Sequence, residues 1–105
     1  RRSAFAAAHH TVLAHVASTN AMRAVRKDIL TGPVLNQANS IADDPTDPIQ
    51  QRALEIADAH QNRFWMDAFM YGRYPQILLD EYADELGSVI QKGDLESAMV
   101  KNDFI

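Results

Sequence analysis

Three pairs of acidic residues are the first candidates for chemistry in this chain. They are Asp43–Asp44, Asp80–Glu81 and Asp84–Glu85. Two carboxylates can share acid/base and nucleophilic work when they face each other across the bond that breaks. The members of each pair are neighbours in sequence, so on a helix they point about 100° apart. We therefore expect all three pairs to lie on a solvated surface, the first of them in a turn with Pro45.

The histidines form no metal-binding or nucleophile pattern. His10 and His15 are five residues apart, and the sequence has no HExxH, GxSxG, Walker or GxGxxG motif. His9 and Asn20 lie in the apolar stripe of a helix, where we expect both to be buried and hydrogen-bonded. His60 comes one turn before an aromatic block, so packing is its expected role. The residues themselves predict no catalytic group, no metal site and no cofactor.

Composition places the chain among soluble globular domains. Its 105 residues fit one domain, and 47% hydrophobic with 23% charged residues is ordinary. A net charge of −4 argues against nucleic acid or an anionic membrane as the main partner. The absence of cysteine fits a reducing compartment, and we expect a cytoplasmic location. No apolar run approaches the roughly 20 residues of a membrane span, and the start does not resemble a signal peptide.

Hydrophobic periodicity predicts helices separated by short breaks. The first helix should run from about Ser3 to Arg26, with Arg23, Arg26 and Lys27 complementing its dipole. A second should run from Pro48 to Met70, capped by Asp47 with Gln50 in a capping box. Gly72 should end it. A shorter helix is then predicted from Tyr74–Pro75 to Leu86, closed by Gly87, and a last turn at Leu95–Val100.

One segment has the pattern of a buried strand. Ile29–Asn36 is a short apolar run, and its second half is predicted to be a strand with Pro33 at its beginning. The polar segment Asn39–Pro48 should be a loop. The sequence Asn102–Ile105 has the composition of a second strand at its start. One strand cannot form a sheet, so a mostly α chain with one short strand is expected to be part of an α/β protein.

The segment Gln61–Pro75 reads QNRFWMDAFMYGRYP and carries five aromatic residues. So much aromatic area predicts a wall that packs against something large. The order Asn62-Arg63-aromatic-aromatic-x-Asp67, followed by Gly72-x-Tyr74-Pro75, resembles a signature of glycoside hydrolase family 1, the β-glucosidase family. Three further segments are similar to that family: Ala7–His15 to its AAHHxxLAH helix, Gly32–Asn36 to its fifth strand, and Gly93–Asp94 with Asp103–Phe104 to the start of its sixth.

The resemblance implies a (β/α)8 barrel, of which residues 1–105 would be a single partial domain. The parent enzyme would hydrolyse small β-glucosides or β-galactosides with retention. The family's acid/base glutamate would precede Arg1 and its nucleophile would follow Ile105, so this segment alone is expected to be inactive. Asn36, at the C-terminal end of the fifth strand, is expected either to bind substrate or to order the loop. Asn39 is a second, lower-ranked candidate for substrate binding.

Two other interpretations remain open from the sequence. The chain could be an autonomous small helical interaction module, for which the orphan strand is unfavourable. Alternatively, the isolated segment could form a homo-oligomer, because its barrel-facing surface would expose apolar area and an unpaired strand edge. In the parent, its partner would be the remainder of the barrel.

Overall fold

A computed structural model describes residues 1–98 and 100–105 of the chain. Five α-helices and one π-helical turn follow each other along the described residues. They are α1 (Arg2–Val25), α2 (Pro48–Asp58), the π-helical turn Ala59–Arg63, α3 (Phe64–Tyr71), α4 (Gln76–Glu81) and α5 (Asp94–Ser97). The prediction of a mostly helical chain is confirmed.

Helix α1 confirms the predicted first helix to within one residue at each end. Its alanine-rich sequence favours the helical state. Phe5, His9, Val12, Val16 and Thr19 recur on the buried side. The expectation for Asn20 was wrong, because its side chain is exposed. The buried stripe of α1 includes Val16 and Thr19. Asn20 follows Thr19 directly, so its side chain points about 100° away from that stripe.

The predicted helix from Pro48 to Met70 forms with a change of pitch in the middle. The Asp47 carboxylate accepts a hydrogen bond from the Ile49 amide at 2.9 Å, and Pro48 occupies the first turn, as predicted. The capping box is not formed. The Gln50 side chain instead accepts from the Asp44 amide at 2.9 Å, because the preceding turn brings that donor within reach.

Gly72 ends α3 as predicted, in the left-handed conformation with φ 62° and ψ 36°. Helix α4 then ends at Glu81, earlier than predicted, and hydrogen-bonded turns continue to Val89. Tyr82 leaves helical geometry at φ −124° and ψ 46° while its ring contacts Phe5 and His60. Tertiary packing of this ring therefore outweighs continuation of the helix. The last predicted turn forms at Asp94–Ser97, and residue 99 lies outside the described part.

The predicted strand within Ile29–Asn36 is not formed. A strand requires a ladder of hydrogen bonds, and among residues 1–98 and 100–105 one backbone–backbone bond joins this extended segment to the chain's last residues. The Asp103 amide donates it to the Thr31 carbonyl at 2.7 Å. Pro33 has no amide to donate. A Cβ on Gly32 would collide with the Phe104 carbonyl, so residues 31–32 and 103–104 approach closely.

The core lies where α1 meets the π-helical turn, α3 and the turns after α4. It consists of Phe5, Val12, Val16, Ala59, Phe64, Ala68, Phe69, Tyr74, Ile77, Leu78, Leu86 and Ala98. The predicted aromatic wall is therefore buried at Phe64, Phe69 and Tyr74, while Trp65 is half-buried and Tyr71 is exposed. Within residues 1–98 and 100–105, no helix combines the length and hydropathy of a membrane span.

Candidate functional site

The π-helical turn Ala59–Arg63 fixes the loop that follows the extended segment. The Asn62 amide group donates to the Ala38 carbonyl at 2.8 Å and accepts from the Ala38 amide at 3.0 Å. Gln61 donates to the Asn36 carbonyl at 3.3 Å. π-Helical turns are common at functional sites because they re-aim side chains that a regular helix would point elsewhere. Here the turn brings two amide side chains to the loop backbone.

Asp58 holds the π-helical turn in place. One carboxylate oxygen accepts from Asn62 at 2.8 Å, and the other accepts from the Arg63 guanidinium at 2.9 Å. The same carboxylate thus orients the side chain that binds Ala38 and balances an adjacent cation. The loop from Asn36 to Ala38 is therefore positioned through Asp58, although Asp58 does not touch it.

Asn36 lines a groove of about 440 Å³ that runs between α1 and α3. The floor of the groove is the extended segment from Pro33 to Asn36, and its walls include His15, Trp65 and Phe69. Asn36 is exposed, and its backbone carbonyl is ordered by Gln61. Both of the roles predicted for Asn36 are compatible with this position, because its carbonyl accepts from Gln61 while the residue is exposed at the groove.

Asn39 does not share this groove. It is exposed and lines a separate depression of about 320 Å³ with Ser40, Gln51, Glu55 and other residues of α2. The structure therefore does not bring the two predicted substrate-binding residues to one cavity.

His9 forms the most deeply buried polar cluster of the described residues. Its side chain is fully buried, with Nδ1 2.7 Å from the Tyr74 hydroxyl and Nε2 2.7 Å from an Asp94 carboxylate oxygen. A carboxylate can only accept, so Nε2–H donates to Asp94 and, in the neutral ring, Nδ1 accepts from Tyr74. The expectation of a buried, hydrogen-bonded His9 is confirmed.

The two partners of His9 respond to the cluster in opposite directions. Hydrogen bonds from His9 and from the Gln91 amide hold the pKa of Asp94 below its usual range. Burial, together with the negative charge of Asp94, raises the pKa of Tyr74 well above its usual value. Tyr74 therefore stays a neutral donor, and the cluster joins α1, the turn after α3 and the start of α5 as a structural junction.

The final residues are held by two further contacts with α1. The Asn102 side chain accepts from His15 at 2.7 Å and donates to the Phe69 carbonyl at 3.0 Å. Arg23 donates to both the Asp103 carboxylate and the Thr31 hydroxyl at 3.0 Å. The hydrogen bond from the Thr31 amide, with a further contribution from Arg23, lowers the pKa of Asp103. Arg23 lies in the last turn of α1, as the helix-dipole prediction requires, and it also joins Thr31 to the chain's last residues.

The acidic pairs lie where the sequence predicted. Asp43, Asp80 and Asp84 are exposed, as are their partners apart from the half-buried Glu85. Asp44 caps its own turn by accepting from Thr46, which lowers its pKa. His60 packs as expected, with its ring stacked on Phe5 at 5.4 Å. Within the described ranges, no group of three or more histidine and acidic side chains is arranged to hold a metal ion.

Sequence reasoning missed the residues that hold the loop and the chain's last residues in place. Asp58, Gln61 and Asn62 were assigned no contact, although Asp58 and Asn62 stand four apart, the spacing of side chains that meet on a helix. Asp58 and Arg63 are five apart, a spacing that brings side chains together only where the helix widens to π geometry. Asn102 carries no local signal, because its two partners are distant in sequence.

Taken together, the segment from Ile29 to Asn36 contacts the chain's last residues through one backbone hydrogen bond, and helices α2 to α5 lie between the two in sequence. In α/β proteins, βαβ units join neighbouring strands through helical connections of this kind. Such units build the sheets and barrels in which catalytic loops follow the C-terminal ends of strands.

The chain belongs to glycosyl hydrolase family 1, whose family model matches residues 1–105. It is 31% identical over 101 residues to Beta-glucosidase 47 of Arabidopsis thaliana, covering 94% of this chain and 19% of that protein. The predicted family resemblance is confirmed.

Two solved structures have the same fold over this region. The psychrophilic β-glucosidase BglU from Micrococcus antarcticus matches with a TM-score of 0.91 and 36% identity, covering 98% of this chain and 22% of BglU. The GH1 β-glucosidase from Exiguobacterium antarcticum B7 matches with a TM-score of 0.79 and 25% identity, covering 91% of this chain and 22% of that enzyme. The chain therefore spans about a fifth of the length of the relatives it matches.

Proposed function

We propose that this chain forms part of a retaining β-glucosidase-like glycoside hydrolase that acts on small β-glucosides or β-galactosides. The match to BglU carries the proposal, because a TM-score of 0.91 over 98% of the chain extends through the helices and the loops between them. A second supporting observation is the backbone hydrogen bond from the Asp103 amide to the Thr31 carbonyl, because neighbouring barrel strands would also be joined by backbone hydrogen bonds.

In this enzyme the chain has a positioning role. Retaining hydrolysis uses one carboxyl group as acid and base and a second as nucleophile, through a covalent glycosyl-enzyme. The resemblance puts both glutamates outside residues 1–105, so residues of this segment orient the loop beside them. Asp58 orients Asn62, and Asn62 fixes Ala38. The exposed side-chain amide of Asn36 is then available to hydrogen-bond a sugar hydroxyl, with Asn39 as a weaker candidate.

The remainder of the barrel is the proposed partner of this partial domain. Leu30 is 71% and Val34 96% exposed on one face of the extended segment, which opens on one side into the groove beside α3. A neighbouring strand would cover both features and use the backbone groups of Val34 and Leu35, which have no hydrogen-bond partner among residues 1–98 and 100–105. This exposure also favours self-association of the isolated segment, and it disfavours a self-contained helical module.

Replacement of the matching segment of BglU by residues 1–105 tests the proposal. We expect the chimera to hydrolyse 4-nitrophenyl β-glucoside, and the isolated 105-residue chain to show no hydrolysis. A BglU variant that lacks the segment is the control, and it should show no hydrolysis if the segment is required for activity. A folded but inactive chimera would contradict the proposed function.

The same chimera tests the role of Asn36. Loss of one hydrogen bond to substrate predicts that Asn36→Ala lowers kcat/KM roughly 10-fold, equivalent to about 1.4 kcal/mol. The exposed neighbour Gln37 supplies a matched control, since Gln37→Ala should leave kcat/KM unchanged. Equal effects of the two substitutions would show that Asn36 only orders the loop.

A further inference from the structure

A second cavity, of about 270 Å³, lies between the first turns of α1 and the π-helical turn. It shares Trp65 with the groove of Asn36 but is otherwise lined by different residues. Its principal lining side chains are Arg1, Phe5, His60, Phe64, Trp65 and Tyr82. We refer to it as the aromatic cleft. A concave, mainly apolar site with a few polar groups is the usual form of a small-molecule site.

Rings form most of the cleft wall and are held by contacts with one another. The Phe5 and His60 rings stack at 5.4 Å, and Tyr82 contacts both at 5.1 Å. Phe64 meets Trp65 edge to face at 5.0 Å. Phe5 and Phe64 are themselves nearly buried, so they form a fixed floor. Rings presenting both faces and edges favour a flat aromatic guest, which can stack on some and meet others edge-on.

The polar groups of the cleft are unpaired within residues 1–98 and 100–105. No hydrogen bond or ion pair involves the side chains of Arg1, His60 or Tyr82, although the Arg1 guanidinium lies 5.7 Å from the Tyr82 ring centroid. Burial and the nearby charge of Arg1 lower the pKa of His60, so its imidazole is neutral at pH 7. Arg1 is then the one charged side chain that lines the cleft.

We propose that the aromatic cleft binds a small planar aromatic molecule that carries a carboxylate. The ring enters between Phe64, Trp65 and Tyr82, and the carboxylate pairs with the guanidinium of Arg1. Charge complementarity selects the anion, and the neutral imidazole of His60 adds a hydrogen-bond donor without a second charge. The inference is independent of the role proposed for Asn36, because the aromatic cleft and the groove of Asn36 have only Trp65 in common.

Benzoate is the probe, and Trp65 is the reporter because it is the single tryptophan of the chain. Titration is followed by the indole N–H resonance of Trp65 in ¹H–¹⁵N spectra. We expect a saturable shift with a Kd of roughly 1 mM, a value suited to so small a ligand. Benzyl alcohol, which has the ring without the charge, should bind at least about threefold more weakly. Absence of a saturable shift, or equal binding of the two compounds, would overturn the proposal.

Charge-removing substitutions separate the cleft from general surface electrostatics. Arg1→Gln should weaken benzoate binding about threefold, the size expected of an exposed ion pair. Arg2→Gln removes the same charge one residue away, at an exposed side chain outside the cleft, and should leave the Kd unchanged. Equal effects of the two would mean that net charge alone attracts the anion, which contradicts the proposed site.

A ring-removing pair tests the aromatic wall. Tyr82→Leu should reduce the benzoate affinity, whereas Tyr71→Leu, at an exposed ring outside the cleft, should not. If Tyr82→Leu fails to fold, the Arg1→Gln comparison still decides the proposal, because Arg1 is exposed and its substitution leaves the core intact.

Discussion

The junction around His9 and the extended segment from Ile29 to Asn36 differ in how far the chain satisfies their groups. At the junction, both nitrogens of the buried imidazole have partners at 2.7 Å, and Leu78, elsewhere in the helical core, is fully buried. In the extended segment, by contrast, Val34 is 96% exposed, and the backbone hydrogen bonds formed with residues 1–98 and 100–105 are confined to Thr31 and the Asn36 carbonyl.

The difference separates what this chain stabilises by itself from what a partner must complete. Buried polar groups in proteins are almost always hydrogen-bonded, and the junction obeys this rule with residues of this chain alone. Extended backbone with free amides and exposed apolar side chains is instead the form of an unpaired strand edge. The polar groups of the junction are therefore satisfied within this chain, while the backbone of the extended segment has the form that a neighbouring strand would complete.

The largest expected effect is a cavity in the helical core. Leu78→Ala should lower the free energy of unfolding by about 2–5 kcal/mol, because a fully buried leucine loses its contacts. Val34→Ala should change it by less than about 0.5 kcal/mol, since Val34 contributes little to packing in this chain. Urea denaturation followed by circular dichroism measures both. Similar losses at the two sites would remove the distinction between the regions.

Removal of the Tyr74 hydroxyl should have the next largest effect. Tyr74→Phe leaves Nδ1 of the buried His9 without a donor, which should cost about 1–3 kcal/mol of unfolding free energy. Tyr71→Phe makes the same chemical change at a 53% exposed ring and should be neutral. If Tyr74→Phe proves as neutral as its control, the hydrogen bond at the junction is not a source of stability.

The junction should also give stability a dependence on acid pH. The folded-state pKa of Asp94 is lowered, so its contribution is complete above the unfolded pKa of about 4 and is lost as pH falls through the folded value. Asp94→Asn should therefore destabilise the chain at pH 7 and converge with the wild type in strong acid. The exposed Asp84→Asn is the control. A wild-type to Asp94→Asn difference that stays constant with pH would exclude this linkage.

The smallest expected change in the free energy of unfolding is at Val34, where a substitution should instead alter self-association. Val34→Asp places a charge on the exposed face and should leave unfolding almost unaffected, while it reduces self-association of the isolated chain. Size exclusion with light scattering measures the mass of each variant. A wild-type chain that elutes at its monomer mass of 11.7 kDa would contradict self-association through this face.

Local signals in the sequence were enough for the helices and the family. Asp47–Pro48 and Gly72 marked helix ends that the structure places where expected, since caps depend on a few adjacent residues. The strand prediction failed for a physical reason: apolar, β-prone residues create an extended segment, but only a partner creates a ladder. The early end of α4 was likewise unpredictable, because the ring of Tyr82 packs against Phe5 and His60, which are distant in sequence.

The substrate-binding role of Asn36 stays a prediction. Asn36 was proposed because the resemblance puts it at the C-terminal end of a barrel strand, but the groove beside it arises from α1 and α3, which are far apart in sequence. The residues that hold its loop depend on the π-helical turn, and regular helical spacing gives no indication of where a helix widens. The groove and the contacts that hold its loop depend on how the helices pack against one another. The periodicity of residues along a single helix contains no information about that packing.

Hydrogen exchange at residues 34–36 is the most direct test of the central claim that the segment is completed by a partner. Mass spectrometry would compare these amides in the isolated chain and in the BglU chimera. We expect fast exchange in the isolated chain and strong protection in the chimera, where a neighbouring strand supplies acceptors. Equal protection in the two proteins would contradict the account, because the segment would then need no partner outside residues 1–105.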